Sequence, residues 1–224
     1  MGNLKGLRRA ERAQLLSTLR DLGPDAPTLC AGWTAADIAA HLAMAERYVG
    51  IPMTVLYPLR KAMPEAVRAR LMARLRHIGD RQTAAMRHRG WNQSLRRLSA
   101  GPPPTYDLSW VAPIRLVEEW LHHEDVRRAN GSGPRPADLA PDEALWQCLT
   151  FLSGFAEFTG ALRTVRVELP DGRSLQLRAG QPEVTITGPA GEVLLFLSGR
   201  DEVACVETEG TESALARLKP SLTV

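Results

Sequence analysis

Glu118 and His122 stand four residues apart in Arg115-Leu-Val-Glu-Glu-Trp-Leu-His-His-Glu-Asp-Val126. On a helix, residues i and i+4 sit one above the other, so a carboxylate and an imidazole at this spacing can share one cation. His41 offers a third ligand from Gly32-Trp-Thr-Ala-Ala-Asp-Ile-Ala-Ala-His-Leu42. Two imidazoles and one carboxylate with positions left open are the donor set of a reactive rather than a sealed metal site. Spacing alone does not settle the register. Glu119 and His123 repeat the pair one residue round the helix, and many such pairs are only exposed salt links worth a few tenths of a kcal/mol.

The elements that must present these side chains can be read from periodicity. Lys5 to Leu22 is expected to be an amphipathic helix with Leu7, Leu15, Leu16, Leu19 and Leu22 on one side, closed by Gly23-Pro24. Thr34 reads as an N-cap with Asp37 in the capping-box position, and the following helix carries Ile38, His41, Leu42, Ala45 and Val49 on one face. Ile51 to Leu59 reads as a connection. A long helix is expected from Pro64, a residue suited to a first helical position, to about Arg89, with a break at Gly90-Trp91. The Glu118 helix should span Ala112 to Ala129. Its stripe of Ile114, Val117, Glu118, Leu121, His122 and Asp125 places three ionisable groups on an apolar face, which is costly unless they are paired or bind metal.

Beyond Asn130-Gly-Ser-Gly-Pro-Arg-Pro136 the pattern changes. A helix over Asp142 to Leu162 is followed by alternating segments: Thr164 to Leu169, a turn at Asp171-Gly172, Ser174 to Arg178, and Glu183 to Thr187. Glu192-Val-Leu-Leu-Phe-Leu197 reads as another strand, Val203 to Glu207 as a last one, and Thr211 to Leu218 as a short final helix. The expected fold is mainly α with α+β: a metal-binding helical bundle over residues 1–135 and a small α+β domain over 136–224.

The bulk composition excludes several classes. The 224 residues are 44% hydrophobic and 24% charged, ordinary for a globular protein, and only 5% aromatic, so Leu, Ala and Val must fill the core. Cys30, Cys148 and Cys205 are odd in number and form no CxxC pair, which argues against a disulfide framework and for a reducing, cytoplasmic setting. No apolar leader opens the sequence and no run reaches membrane-spanning length. Between Arg60 and Arg97, eleven Lys/Arg stand against Glu65 and Asp80. This stretch is read as a solvated helix face rather than a nucleic-acid contact. His77 and His88 are expected to be exposed, Trp33 and Trp91 to pack the bundle, and Cys148 and Cys205 to be core residues.

Two blocks, Leu29-Cys-Ala-Gly-Trp-Thr-Ala-Ala-Asp-Ile-Ala-Ala-His-Leu42 and Glu118-Glu-Trp-Leu-His-His-Glu-Asp-Val-Arg-Arg-Ala129, resemble the signature blocks of the mycothiol-dependent maleylpyruvate isomerase family, a branch of the DinB-like four-helix-bundle superfamily. Leu194-Leu-Phe-Leu-Ser-Gly-Arg200 is loosely similar to a Leu-rich stretch of that family's C-terminal domain. The resemblance implies His41, Glu118 and His122 as metal ligands and so selects the register that spacing left open. It implies a divalent ion, zinc foremost, with nickel, iron or cobalt also suited to the donor set. Asp125 would orient an imidazole or touch substrate, and Arg200 would bind a substrate carboxylate. The implied chemistry is thiol transferase or isomerase, with mycothiol or a similar low-molecular-weight thiol as cosubstrate and a small anionic electrophile as substrate. A hydrolase or tailoring enzyme on the same site, or a non-catalytic metal-binding stress or regulatory protein, are the competing readings.

Overall fold

The structure, a computed structural model, describes residues 4–45, 63–102, 111–136, 141–153, 165–177 and 183–218. The Ile51–Leu59 connection and the C-terminal part of the Asp142–Leu162 helix lie outside the described residues. Among the described residues, five helices build the first part: α1 Leu4–Leu22, α2 Ala35–Met44, α3 Glu65–Arg89, α4 Trp91–Ser99 and α5 Ala112–Ala129. α1 packs along α5, and α2 packs against α3 and α4. The capping box forms: Asp37 accepts from the Thr34 backbone N–H at 2.9 Å and from its hydroxyl at 3.0 Å. Asp37 also pairs with Arg87, which ties α3 to the start of α2. The break at Gly90 follows from its φ of +87°, a conformation that glycine adopts without a Cβ clash. Pro64 sits one position earlier than expected, at the N-cap of α3.

The second part comprises α6 Pro141–Ser153, β1 Val165–Glu168, β2 Ser174–Gln176, β3 Val184–Thr187, α7 Ala190–Leu197, β4 Glu207–Gly210 and α8 Glu212–Leu218. The sheet order is β2-β1-β3-β4. β1 and β3 run parallel, with Val165 opposite Val184 and Val167 opposite Ile186; the outer pairs are antiparallel. All four of these side chains are buried, as period-two alternation requires. The mainly helical architecture with a small α+β part is the one expected from sequence.

Three assignments are corrected. Residues 192–197 form the helix α7, not a strand. Every residue of α7 is buried, so no polar face marks its period, and a short all-apolar run carries no signal that separates helix from strand. Its start is fixed from outside, because Asp142 accepts from the N–H groups of Ala190 at 3.2 Å and Gly191 at 2.8 Å. The last strand lies at 207–210 rather than 203–207. Cys205 is exposed rather than in the core, whereas Cys148 is fully buried.

One core cluster joins the α5 residues Leu116, Val117 and Trp120 to α6, the sheet and α7; another joins α1, α2 and α4 to Val126 of α5. Helix α5 therefore lies between the two layers. α7 approaches it closely at Gly191, where an added Cβ would meet Trp120 Cζ2 at 2.7 Å. Among the described residues, no helix is long and apolar enough to cross a membrane.

Candidate metal centre

Two faces of α5 carry the two Glu-x-x-x-His pairs, and the fold treats them differently. Glu119 and His123 face α1. Glu119 pairs with Arg12, and His123 presents Nδ1 to Glu11 Oε1 at 2.6 Å and Nε2 to Thr18 Oγ1 at 2.8 Å. Arg135 clasps Glu11 with two hydrogen bonds of 2.7 and 2.8 Å and reaches Glu124 at 2.6 Å. Both imidazole nitrogens are thus engaged, and the side chains of Glu119 and His123 are only 4% and 3% exposed. No lone pair on this histidine is left for an ion.

Glu118 and His122 face α2. Glu118 Oε1 lies 3.3 Å from His41 Nε2, and the His41 and His122 ring centroids are 5.0 Å apart. The three side chains keep 22%, 14% and 29% exposure for Glu118, His122 and His41, so solvent or a small molecule can reach them. Arg115 holds the second oxygen of Glu118. Burial opposes the charge on Glu118, but Arg115, His41 and His122 outweigh it and hold the carboxyl down at about 2. Burial pushes the His122 imidazole below its ordinary pKa, so it is neutral and ligand-competent near neutrality. Its Nδ1 lies 3.0 Å from Asp125 Oδ2, which leaves Nε2 as the nitrogen an ion could use. The donor types are those that divalent cations take: a neutral imidazole with a carboxylate behind it, a second imidazole on a facing helix, and an ionised carboxylate between them.

Asp125 is the hub behind the site. Burial opposes its ionisation, but hydrogen bonds from His122 and Arg200 hold its carboxyl down at about 2. Arg200 donates through Nε to Oδ1 and through a terminal nitrogen to Oδ2, each at 2.9 Å. It also donates to the Ser198 carbonyl and, at 3.3 Å, to Cys30 Sγ. Among the described residues, these contacts engage four of the five N–H groups of the guanidinium. Cys30 adds a further donor, its thiol lying 3.1 Å from Asp125 Oδ2. Burial and Asp125 together push that thiol up to about 12, so it stays protonated and is no nucleophile.

Among the described residues, Cys30, His122 and Asp125 are the group that brings three potential donor atoms within 4.8 Å of one another; those of His41, Glu118 and His122 do not all approach that closely. Both Asp125 oxygens already serve Arg200, whose guanidinium fills the place of a cation, and a second positive ion beside it would be repelled. On the His41–Glu118–His122 side Arg115 occupies one Glu118 oxygen, and the other faces His41.

Cys30 and Trp33 were not read from the sequence as parts of a site. The Trp33 ring lies 5.2 Å from the His41 ring and 6.2 Å from the His122 ring, nearly parallel to the latter at 19°. Both residues flank Gly32 in the turn before Thr34. Their partners on α5 are about ninety positions away, and the local pattern carries no trace of that pairing. His77 and His88 are exposed as expected, and Arg127 and Arg128 pair with Glu124.

Comparison with known proteins bears on this geometry. Residues 7–55 match the family model of the mycothiol maleylpyruvate isomerase N-terminal domain. The matched segment contains the first signature block and His41, and the resemblance read from sequence holds there. Two solved structures share the fold over nearly the whole chain. One is a mycothiol-dependent maleylpyruvate isomerase, with 20% identity and a TM-score of 0.50 over 91% of this chain and 90% of that one. The other is a histidine-to-alanine variant of a mycothiol-dependent maleylpyruvate isomerase, with 16% identity and a TM-score of 0.52 over 90% of each chain. No curated protein matches the chain. At these identities the likeness is one of fold, and the maleylpyruvate isomerase fold is the frame in which the site is read.

Proposed function

We propose that this chain is a divalent-metal-dependent thiol transferase or isomerase that uses a low-molecular-weight thiol of the mycothiol type on a small, anionic electrophile. The observation that carries this reading is the convergence of His41, Glu118 and His122 from two helices at a partly open position, within the fold of a mycothiol-dependent isomerase. His41 Nε2, a Glu118 oxygen and His122 Nε2 would hold the ion. When bound, it would lower the pKa of a coordinated thiol by several units and so supply a nucleophile at neutral pH.

The chain's own residues do the rest. Asp125 accepts the Nδ1 proton of His122 and keeps the opposite nitrogen directed away from it. Arg200 neutralises Asp125, and in this reading its guanidinium would also meet the charge of a substrate. The partly exposed rings of His41 and His122, backed by Trp33, form a wall that a flat conjugated substrate can lie against. The division of labour we propose assigns the ligands to residues 1–135 and the clamp on Asp125 to residues 136–224.

Elemental analysis of the purified protein should give one divalent ion per chain, zinc first among the expected metals, and none in H122A. Metal-loaded protein should consume thiol with at least one member of a panel of small unsaturated acids. Turnover without thiol would replace this reading with a hydrolase. Stoichiometric metal with no turnover on any substrate would leave a metal-binding protein without catalysis.

A further inference from the structure

The turn from Pro27 to Thr34 is joined to α5 along its length. The Leu29 N–H donates to the Asp125 carbonyl at 3.1 Å, Asn130 donates to the Pro27 carbonyl at 3.0 Å, and Pro27 and Thr34 close the turn as an isolated β-bridge. Inside the turn, the single Thr28 hydroxyl proton is shared between the carbonyls of Trp33 at 2.9 Å and Cys30 at 3.3 Å. Gly32 takes a φ of +74°, which lets the chain reverse so that Cys30 and Trp33 both reach the site.

The two side chains act on His122 from different directions. The Cys30 thiol donates to the Asp125 oxygen that also receives His122 Nδ1, at 3.1 and 3.0 Å. The Trp33 indole lies over the face of His122 and against His41. An imidazole can bind metal through either nitrogen, and what the other nitrogen bonds to decides which.

We propose that this turn is a positioning element for the metal site: the Cys30 thiol holds Asp125, and Trp33 backs both imidazoles, so that His122 is kept with Nδ1 protonated and Nε2 free for the ion. The inference rests on the reading that His41, Glu118 and His122 bind the metal. It assigns Cys30 and Trp33 no contact with the ion or the substrate. Cys30 acts through Asp125, and Trp33 acts through the ring planes. A space-filling cysteine would be replaceable by valine, whereas a hydrogen-bond donor is replaceable by serine.

The test uses the full-length chain stripped of metal. Zinc and cobalt affinities are measured by competition with a chelating indicator for wild type, H122A, C30V, C30S, W33L and W33F. C30V and W33L should bind about 10- to 100-fold more weakly, the range typical when a residue behind a ligand is lost. C30S should stay within about threefold of wild type, W33F should fall between W33L and wild type, and the metal-free melting temperatures of C30S and W33F should stay close to that of wild type. Wild-type affinity in C30V and W33L, or equal losses in C30S and C30V, would overturn the inference while leaving the metal site intact. A wild-type protein that binds no ion, or an H122A variant that binds as wild type does, would overturn the metal reading and the inference together. Should C30V fail to fold, nitrogen NMR of metal-free wild type decides, since a His122 protonated at Nε2 rather than Nδ1 would refute the assignment.

Discussion

The Glu118–His122 and Glu119–His123 pairs have the same chemistry and spacing, lie one residue apart, and meet opposite fates. Facing α1, Glu119 and His123 find Arg12, Glu11 and Thr18 and are buried. Facing α2, Glu118 and His122 meet another imidazole, keep solvent access and, among the described residues, leave one His122 nitrogen uncommitted. The two pairs are thus distinguished less by their own residues than by what the surrounding side chains leave unused. The sealed pair does structural work, joining α1 and the Arg135 segment to α5.

The sharpest way to break this contrast is to remove one histidine from each face. H122A should reduce bound metal from one per chain to almost none, while the stability of the metal-free protein changes by no more than about 1 kcal/mol. H123A should leave metal content intact but destabilise the fold, because Glu11 loses a buried partner. The larger structural effect is expected for Arg135→Ala, which leaves Glu11 and Glu124 buried without their shared guanidinium. Breaking such an arrangement costs about 3–5 kcal/mol, or roughly 10 °C in melting temperature for a chain this size. Thermal unfolding of the metal-free variants measures both. Equal losses in H122A and H123A would erase the distinction.

Acid titration sharpens the comparison further. Burial opposes ionisation of Glu11 and Glu124, but hydrogen bonds and charges from His123, Arg135, Arg127 and Arg128 leave both carboxyls lower in the folded chain than their ordinary 4.5. Their contribution to stability is therefore complete above about pH 4.5 and is lost as the pH falls from there toward the folded values. Unfolding midpoints of wild type and E11Q, followed from pH 7 down to pH 3, should converge as the pH drops. Parallel curves would show that the sealed network is not ionised as described.

Glycine substitutions give smaller effects that separate the two regions again. Gly191→Ala forces a Cβ to within 2.7 Å of Trp120 and should cost about 1–3 kcal/mol through overpacking, without changing metal content. Gly32→Ala has open space around the new methyl and meets only its positive φ, a cost of roughly 1 kcal/mol. Its distinguishing effect is a weaker hold on metal, measured by chelator competition, because the turn carries Cys30 and Trp33. A Gly32→Ala variant with lowered stability and unchanged affinity would separate the turn from the site.

Much of the scaffold was legible in the sequence. The period of α1, the capping box at Thr34, the limits of α5 and the hairpin at Asp171-Gly172 are local signals, and each appears where the pattern puts it. α7 was misread because burial on all sides removes the polar face that would have given its period, and its cap comes from Asp142, some fifty positions away. At the candidate site, the i,i+4 geometry was readable but the choice between the two pairs was not. That choice depends on which helix each face meets, and no window of sequence contains both partners. Arg200 was read as a residue facing the cleft; its commitment to Asp125 depends on how the second layer docks against α5.

That docking has a temporal side. The two bonds from Arg200 to Asp125 span 75 positions, and a chain made from its amino end acquires every proposed ligand long before it acquires this guanidinium. Until then, the carboxylate behind His122 lacks its two guanidinium bonds and is held less firmly. If the proposed ligands hold an ion, full affinity for it is a certificate of completed synthesis: a stalled or clipped polypeptide should surrender its metal to a chelator that the finished protein resists.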